Sequence, residues 1–311
     1  MKQNYAIIAD VTCDLSVDLQ KRFGVDGVLE GTIITPNNTE VKAKLDLSDN
    51  EIDDFYKDLK SNKNGYKTTA MSADAIVAYF EEFLKKGLDI LALSLSSSLS
   101  VTYNLMLHAQ KELTKRYPKR QVLIVDSKKY SIGLGLLTVC ACQYRDQGLD
   151  LTQNFQKLEN IKMNIHQMGP IDDLFWVASK GRISHAKAFF GTILGIKPMG
   201  DFDANGMVSV LTKMSGYDKA YKVTIEYIKQ IITNPSEQIV FVAHSARRQQ
   251  AQLLAKLIEE NIKPKEVIIT NIYPANGINI GPGLVAAYFL GTTITDLEHE
   301  KSVINNIVVT K

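Results

Sequence analysis

A run of hydroxyl side chains follows an apolar segment that ends near Leu95, and these residue types are suited to binding an anion. Four serines occupy the five positions from Ser96 to Ser100, directly before a segment with helical spacing. The carboxyl end of a buried strand and the free N–H groups of a following helix together favour a negatively charged ligand. The segment therefore predicts an anion site. The alternative for Ser100 is a cap that satisfies its own helix.

Two further segments carry residues suited to ligand binding. Gly181 permits a sharp turn, and Arg182 offers a planar fork of donors to a carboxylate or phosphate; an exposed charge beside a helix start is the simpler explanation. The segment 276–283 has three glycines, which allow a ligand to approach the backbone or merely form a turn. Its spacing differs from the G-x-G-x-x-G of dinucleotide sites.

The usual catalytic and metal-binding motifs do not occur in the sequence. The five histidines show no H-E-x-x-H spacing, and Cys140 and Cys142 are separated by one residue instead of the two of a zinc knuckle. Neither a G-x-S-x-G elbow nor a G-x-x-x-x-G-K-[ST] loop is found. We expect no metal, no cofactor and no catalytic residue. His244 or Asp126 in a cleft would serve the alternative, a small-molecule enzyme.

Strands that alternate with helices must position these segments. Apolar runs at 6–9, 88–95 and 122–125 predict strands, and helical spacing separates them, which implies an N-terminal doubly wound, mostly parallel sheet. We also predict one strand over 27–34, a loop over 35–48 and a helix capped by Ser48. The second half predicts a hairpin at Asn205–Gly206, strands at 239–243 and 266–273, and apolar helices around 188–190 and over 284–290.

Length and composition indicate an ordinary globular protein with two domains. The 311 residues are 45% hydrophobic and 23% charged, and we place an N-terminal α/β domain at 1–165 and a C-terminal α/β domain at 166–311. The net charge of +2 is too small to favour nucleic acid. An odd count of three cysteines, the lack of a signal peptide and the lack of a run of about 18 apolar residues predict a cytoplasmic protein without stable membrane insertion.

Six motifs, in order along nearly the whole chain, resemble those of the DegV family. They are 10–15 (D-S-x-x-D-L in the family), 97–103 (S-x-L-S-G-T-Y), 126–135 (D-S-x-x-x-S-x-G-x-G), 180–183 (K-G-G-R-I), 196–198 (I-K-P) and 277–283 (H-x-G-P-G). The resemblance implies a two-domain DegV-like α/β fold with a ligand tunnel between the domains. It also implies a bound long-chain, palmitate-like fatty acid, which a separate fatty acid kinase catalytic subunit converts to acyl phosphate.

The resemblance thus implies a lipid carrier that is not an enzyme and that allows only transient membrane contact. Carried over motif by motif, it assigns carboxylate binding to Thr68, Ser97, Ser100, Arg182 and Asn279. The apolar segments 188–190 and 284–290 become candidate tunnel walls.

Three departures from the family pattern concern the head-group site. Asn279 stands where the family has a histidine, Val11 replaces a serine, and Thr68 begins T-T-A-M-S instead of T-S-Q-P-S. Asn279 donates a hydrogen bond but carries no charge, which costs roughly 1 kcal/mol of charge assistance. A regulatory DegV-like protein with an altered ligand therefore stands as a further alternative.

Overall fold

The computed structural model describes residues 4–183 and 195–309, which form two compact units. The first unit comprises Met1–Leu47 and Asn64–Lys162, and the second comprises Ser48–Lys63 and Met163–Lys311. The predicted continuous domains, 1–165 and 166–311, differ from these units mainly at residues 48–63. That segment belongs to the second unit because Tyr56 is buried there and its hydroxyl donates to the Ile272 carbonyl over 2.7 Å.

The chain up to residue 162 alternates strands and helices. In order, the elements are β1 (Tyr5–Asp10), α1 (Val17–Phe23), β2 (Gly27–Leu29), β3 (Thr32–Ile34), β4 (Glu40–Lys42), α2 (Asp49–Ser61, second unit), β5 (Lys67–Thr69), α3 (Ala73–Lys85), β6 (Asp89–Ser94), α4 (Thr102–Arg116), β7 (Val122–Asp126), α5 (Ile132–Asp146) and α6 (Leu151–Ile161). Ser48 caps α2 as predicted, and Glu51 completes the capping box.

The central sheet of the first unit is parallel, as predicted, with the order β2-β1-β6-β7. One face, which includes Ile8, Ala92 and Ile124, packs against α3 and α4. The helix α5 packs against β1 and β6. Apolar side chains are required on both faces of a covered parallel sheet, which explains the continuous buried runs in β1 and β6.

The prediction for residues 27–48 was wrong in two places. The single strand expected over 27–34 is two strands, because β2 pairs with β1 while β3 joins a separate antiparallel sheet of order β4-β3-β5. The expected loop 35–48 contains β4. Strands of three residues are too short to show a periodic apolar pattern.

The second unit contains a mixed sheet and a hairpin. Its further elements are β8 (Ile165–Met168), α7 (Leu174–Ser179), β9 (Ile196–Phe202), β10 (Val208–Ser215), α8 (Gly216–Ile231), β11 (Ile239–His244), α9 (Arg248–Asn261), β12 (Glu266–Asn271), α10 (Pro274–Ile280), β13 (Val285–Leu290) and α11 (Glu298–Val309). The sheet order is β12-β11-β13-β8, with β11 and β12 parallel and the other pairs antiparallel. The predicted hairpin is β9–β10.

Two predictions for the second unit were wrong. The apolar helix expected over 284–290 is the strand β13, in which Tyr288 pairs with Phe241 on one side and Gln167 on the other. The glycine-rich turn is largely the helix α10, which begins at Pro274 and ends at Ile280, with Gly281 as its C-cap. Short apolar runs buried in a sheet cannot be distinguished from helix by periodicity. The predicted segment 188–190 lies outside the described residues.

Candidate functional site

Polar residues end the three longest strands of the first unit's parallel sheet. Asp10, Ser94 and Asp126 are the last residues of β1, β6 and β7, and all three are buried. The helix that follows β1 packs on α5, whereas the helix that follows β6 packs on α3. Adjacent strands whose connections diverge in this way leave a crevice at their carboxyl ends, where α/β proteins bind ligands.

The loops after β6 and β7 are hydrogen-bonded to each other. The Ser97 backbone N–H and hydroxyl both donate to Asp126, over 3.1 and 2.6 Å. Lys128 Nζ lies 3.1 Å from Ser97 Oγ and 2.9 Å from Asp126 Oδ2. Burial alone would raise the Asp126 pKa, but the hydrogen bonds from Ser97 and Lys128 outweigh it and hold the pKa below its ordinary value. The Ser97 hydroxyl proton is thus directed at Asp126.

Ser100 is hydrogen-bonded to Thr102 at the start of α4, and Asp10 is hydrogen-bonded to Thr12 in the turn after β1. Ser100 Oγ accepts from the Thr102 N–H over 3.2 Å and lies 2.9 Å from Thr102 Oγ1. The N-cap residue of α4 is Val101, so Ser100 lies one residue before the cap and the predicted capping role does not apply to it. The Asp10 carboxyl group accepts from the Thr12 N–H over 2.9 Å and from the Thr12 hydroxyl over 2.8 Å. Burial dominates and raises the pKa of Asp10 despite these bonds. Sequence reasoning did not assign Asp10 or Thr102 to the site.

Thr68 lies on β5, where it pairs with Ile33 of β3 and is half-buried. A Cβ placed on Gly31 would lie 3.2 Å from Val11 Cγ1 and 3.6 Å from the Thr69 carbonyl oxygen. The small sheet therefore adjoins the turn that follows Asp10. Thr68 lies on this small sheet, whereas Ser97 and Ser100 lie in the segment after β6, the strand that pairs with β1.

Arg182 lies in the second unit, is exposed, and donates to the Lys180 carbonyl. Burial lowers the pKa of Lys180, and repulsion from Arg182 and Lys63 lowers it further. Lys63 also pairs with Asp173 at 3.5 Å and lies over the Trp176 ring. The three cations form a local positive group, which is suited to an anion.

Asn279 lies near the end of α10, and its side-chain Nδ2 donates to the Ala275 carbonyl over 3.2 Å. The end of this helix packs on Trp176, whose Nε1–H donates to the Ile278 carbonyl over 2.9 Å. A Cβ on Gly281 would lie 2.6 Å from the indole ring, and the Gly281 φ of +78° is in the left-handed region. A glycine is therefore needed in the G-P-G motif at this position.

The lysine of the I-K-P motif belongs to a partly buried ionic cluster. Asp172 accepts from Lys197 Nζ and from the Tyr217 hydroxyl, each over 2.5 Å. It also accepts from Arg247 Nε over 3.1 Å. Burial opposes ionisation, but these donors outweigh it and lower the Asp172 pKa. The cluster holds the start of β9 to the segment after β8.

His244, the candidate base of the enzyme alternative, is buried at the end of β11. Burial and the nearby Arg248 lower its pKa to about 4, while Asp49 raises it slightly. Its Nδ1 accepts from the Arg247 N–H over 3.4 Å, so the neutral ring carries its proton on Nε2. Within residues 4–183 and 195–309, no group of three His, Cys, Asp or Glu side chains is placed to hold a metal ion. The helices in these ranges are all too short or too polar to cross a bilayer.

Sequence comparison relates the chain to a known family. The model of the DegV family, described as an uncharacterised protein family, matches residues 4–292. A DegV domain-containing protein of Clostridium perfringens is 32% identical over 293 residues, which cover 94% of this chain and 99% of the relative.

Solved structures share the fold. A DegV lipid binding protein from Thermotoga maritima has a TM-score of 0.81 at 20% identity and covers 94% of this chain and 100% of its own. A stearic acid-binding protein from Eubacterium ventriosum has a TM-score of 0.80 at 19% identity and covers 92% and 98%. At these identities the structural likeness establishes the two-domain α/β architecture.

Proposed function

Since the chain belongs to the DegV family, we propose that it binds a long-chain, palmitate-like fatty acid by its carboxylate. The observation that carries the proposal is the polar carboxyl end of the parallel sheet, where Asp10 and Ser94 end adjacent strands and the Ser100 and Thr102 hydroxyls hydrogen-bond to each other. Hydroxyl groups bind a single carboxylate without leaving an unpaired cation buried when the ligand departs.

The acyl chain supplies the affinity in this proposal. Each buried methylene contributes about 0.8 kcal/mol, so a chain of palmitate length brings ample driving force. The head-group donors then fix the orientation of the ligand and distinguish an acid from an alcohol or ester. The stearic acid bound by the Eubacterium ventriosum protein, which has the same fold, supports this ligand class.

We assign the head-group contacts to Ser100 and Thr68, with Ser97 holding the serine loop through Asp126. Arg182 and Asn279 remain contacts proposed from the family motifs. Two alanine variants, Ser100→Ala and Arg182→Ala, are each expected to lower fatty-acid retention at least several-fold while circular dichroism stays unchanged. The matched control is Ser98→Ala, an exposed serine of the same loop.

The direct test is mass spectrometry of lipid extracted from purified protein, followed by titration of the delipidated protein with oleate. Trp176 is the only tryptophan, so its fluorescence reports on the second unit during the titration. Protein that is empty after purification and does not take up oleate would refute fatty-acid binding.

We further propose that the protein is a cytoplasmic carrier that presents the fatty acid to a separate fatty acid kinase subunit and does no chemistry itself. Asp126 accepts a hydrogen bond from the Ser97 hydroxyl, and His244 accepts one from the Arg247 N–H. These bonds occupy the two candidate catalytic groups, which supports the carrier role over the enzyme alternative. The assay combines labelled oleate, ATP and the kinase subunit that acts with a DegV protein. Acyl phosphate, which is detected by trapping with hydroxylamine, should form only when this protein is added. Product formed by this protein alone would contradict the carrier role.

The alternative of a regulatory protein with an altered ligand derives from Asn279, and Asn279→His tests it. If fatty acid binding has been retained, the variant should bind oleate several-fold more tightly at a pH where the new imidazole is charged. If Asn279→His binds oleate and the natural protein does not, the result would favour the regulatory alternative.

A further inference from the structure

We propose that Lys128 is the cationic contact for the fatty-acid carboxylate in the first unit, and that Ser97 positions this lysine and does not bind the ligand. The inference rests on the proposed function, because it concerns the same head group. The family motif that covers 126–135 leaves position 128 unspecified, so the family resemblance gives Lys128 no role.

The Ser97 hydroxyl has no proton left for a ligand. A hydroxyl has a single proton, and Ser97 donates it to Asp126 Oδ2 over 2.6 Å. The same oxygen accepts from Lys128 Nζ over 3.1 Å. An ionised carboxylate only accepts hydrogen bonds. Ser97 therefore cannot donate to the head group of a fatty acid while it donates to Asp126.

The Asp126 carboxylate already has the donors that it needs. Its Oδ1 accepts from the backbone N–H groups of Ser97 and Lys128, over 3.1 and 3.3 Å. Its Oδ2 accepts from the Ser97 hydroxyl and lies 2.9 Å from Lys128 Nζ. These four donors fill the acceptor sites of an ionised carboxylate. Asp126 thus requires only one of the N–H groups of the lysine ammonium.

Lys128 has the donor that this cluster can offer to an anion. An ammonium has three N–H groups, and two of them serve Ser97 and Asp126. In the part of the chain that the structure describes, no residue accepts the third, and the side chain is 27% exposed, so a ligand can reach it. When the ligand leaves, Asp126 remains as the counter-charge, so the cation is never left without a partner.

The lysine lies on the same end of the sheet as Ser100. Lys128 follows β7 and Ser100 follows β6, and these strands are parallel neighbours. The Ser96 N–H donates to the Lys129 carbonyl over 2.9 Å, and the Ser100 N–H donates to the Ser96 carbonyl over 3.2 Å. These backbone bonds hold the loop with the lysine against the serine segment, where the head group is proposed to bind.

The backbone of Lys128 supplies a second, independent observation. Its φ is +55°, in the left-handed region, which disfavours every side chain relative to glycine. Lysine also lacks the short polar side chain with which asparagine or aspartate compensates for this conformation. A glycine would make the same N–H hydrogen bond to Asp126, so the loop itself does not require lysine. A need for the ammonium group explains why the strain is retained.

Titration of delipidated protein with oleate and with oleyl alcohol tests the inference, because the two ligands have the same chain and only oleate has a carboxylate. Lys128→Met removes the cation and should lower the oleate affinity about tenfold or more, with no change in the affinity for oleyl alcohol. The control Lys119→Met makes the same change of charge at an exposed lysine before β7 and should alter neither affinity.

Lys128→Gly separates the loss of the contact from damage to the fold. Both Lys128 variants lose the ion pair, but glycine relieves the left-handed backbone, so the urea midpoint of Lys128→Gly should exceed that of Lys128→Met. The oleate affinity of Lys128→Gly should nevertheless fall as far. Ser97→Ala leaves the ammonium in place and should weaken oleate binding less than either.

The possible failures are distinguishable. Unchanged oleate affinity in Lys128→Met, an equal loss of affinity for oleate and oleyl alcohol, or a larger loss in Ser97→Ala than in Lys128→Met would overturn the inference while fatty-acid binding stands. A natural protein that does not bind oleate would overturn both the inference and the proposed function.

Discussion

His244 makes the stability of the protein depend on pH in a direction that can be calculated. Its pKa is lowered from 6.5 to about 4 in the folded chain, chiefly by burial. Between these values the unfolded chain takes up a proton that the folded chain does not, so stability is retained above pH 6.5 and lost as the pH falls. From pH 7 to pH 5 this single group should lower the free energy of unfolding by about 2 kcal/mol.

The variant His244→Asn removes that contribution. An asparagine Oδ1 can take the place of Nδ1 as the acceptor for the Arg247 N–H, so the local fold is preserved. We therefore expect the loss in unfolding free energy between pH 7 and pH 5 to be smaller in the variant by about 2 kcal/mol.

Urea titrations of both proteins at pH 5, 6 and 7 measure the difference. Carboxylates that titrate over this range contribute equally to both proteins and cancel. The control is His108→Asn, which makes the same substitution at an exposed histidine of α4. An identical pH dependence in His244→Asn and the natural protein would refute the assignment of a buried, neutral histidine.

Three further substitutions probe contacts of the second unit, and equilibrium urea unfolding measures each. Asp172→Asn should lower the free energy of unfolding by about 2 kcal/mol, since it leaves two cations of a partly buried cluster without their counter-charge. An unchanged unfolding midpoint would show that the cluster does not stabilise the fold. Gly281→Ala should lose about 2 kcal/mol and shift the emission of Trp176, because the left-handed backbone and the indole ring leave no room for a methyl group. Tyr56→Phe should lower the free energy of unfolding by about 1 kcal/mol, because it removes the hydrogen bond to the Ile272 carbonyl. An unchanged free energy of unfolding would contradict the assignment of residues 48–63 to the second unit.

Strong local signals explain which parts of the fold the sequence predicted. The apolar runs of β6 and β7 are long enough to identify as strands, and Ser48 and Asn205–Gly206 have side chains or conformations typical of a cap and a turn. The strand β13 was mistaken for a helix because an apolar run between two strands has no polar face to reveal its period.

The candidate site was predicted less completely, for a physical reason. The serine segment was identified because hydroxyls at a strand end are visible in one stretch of sequence. Asp10 and Ser94 lie far apart in the sequence, and only the parallel pairing of β1 with β6 makes the ends of these strands neighbours. The engagement of Ser97 with Asp126 likewise depends on the pairing of β6 with β7.

The assignment of residues 48–63 to the second unit has a consequence for biosynthesis. The helix α2 leaves the ribosome early, yet its hydrogen-bond partner Ile272 is translated 216 residues later. At typical synthesis rates that interval is roughly 10 to 40 seconds. During this time α2 is a nascent segment whose buried face, including Ile52 and Leu59, has no partner to cover it. A fragment that ends at residue 162 would keep that exposed apolar face permanently, and we expect it to bind chaperones or aggregate unless residues 48–63 are removed.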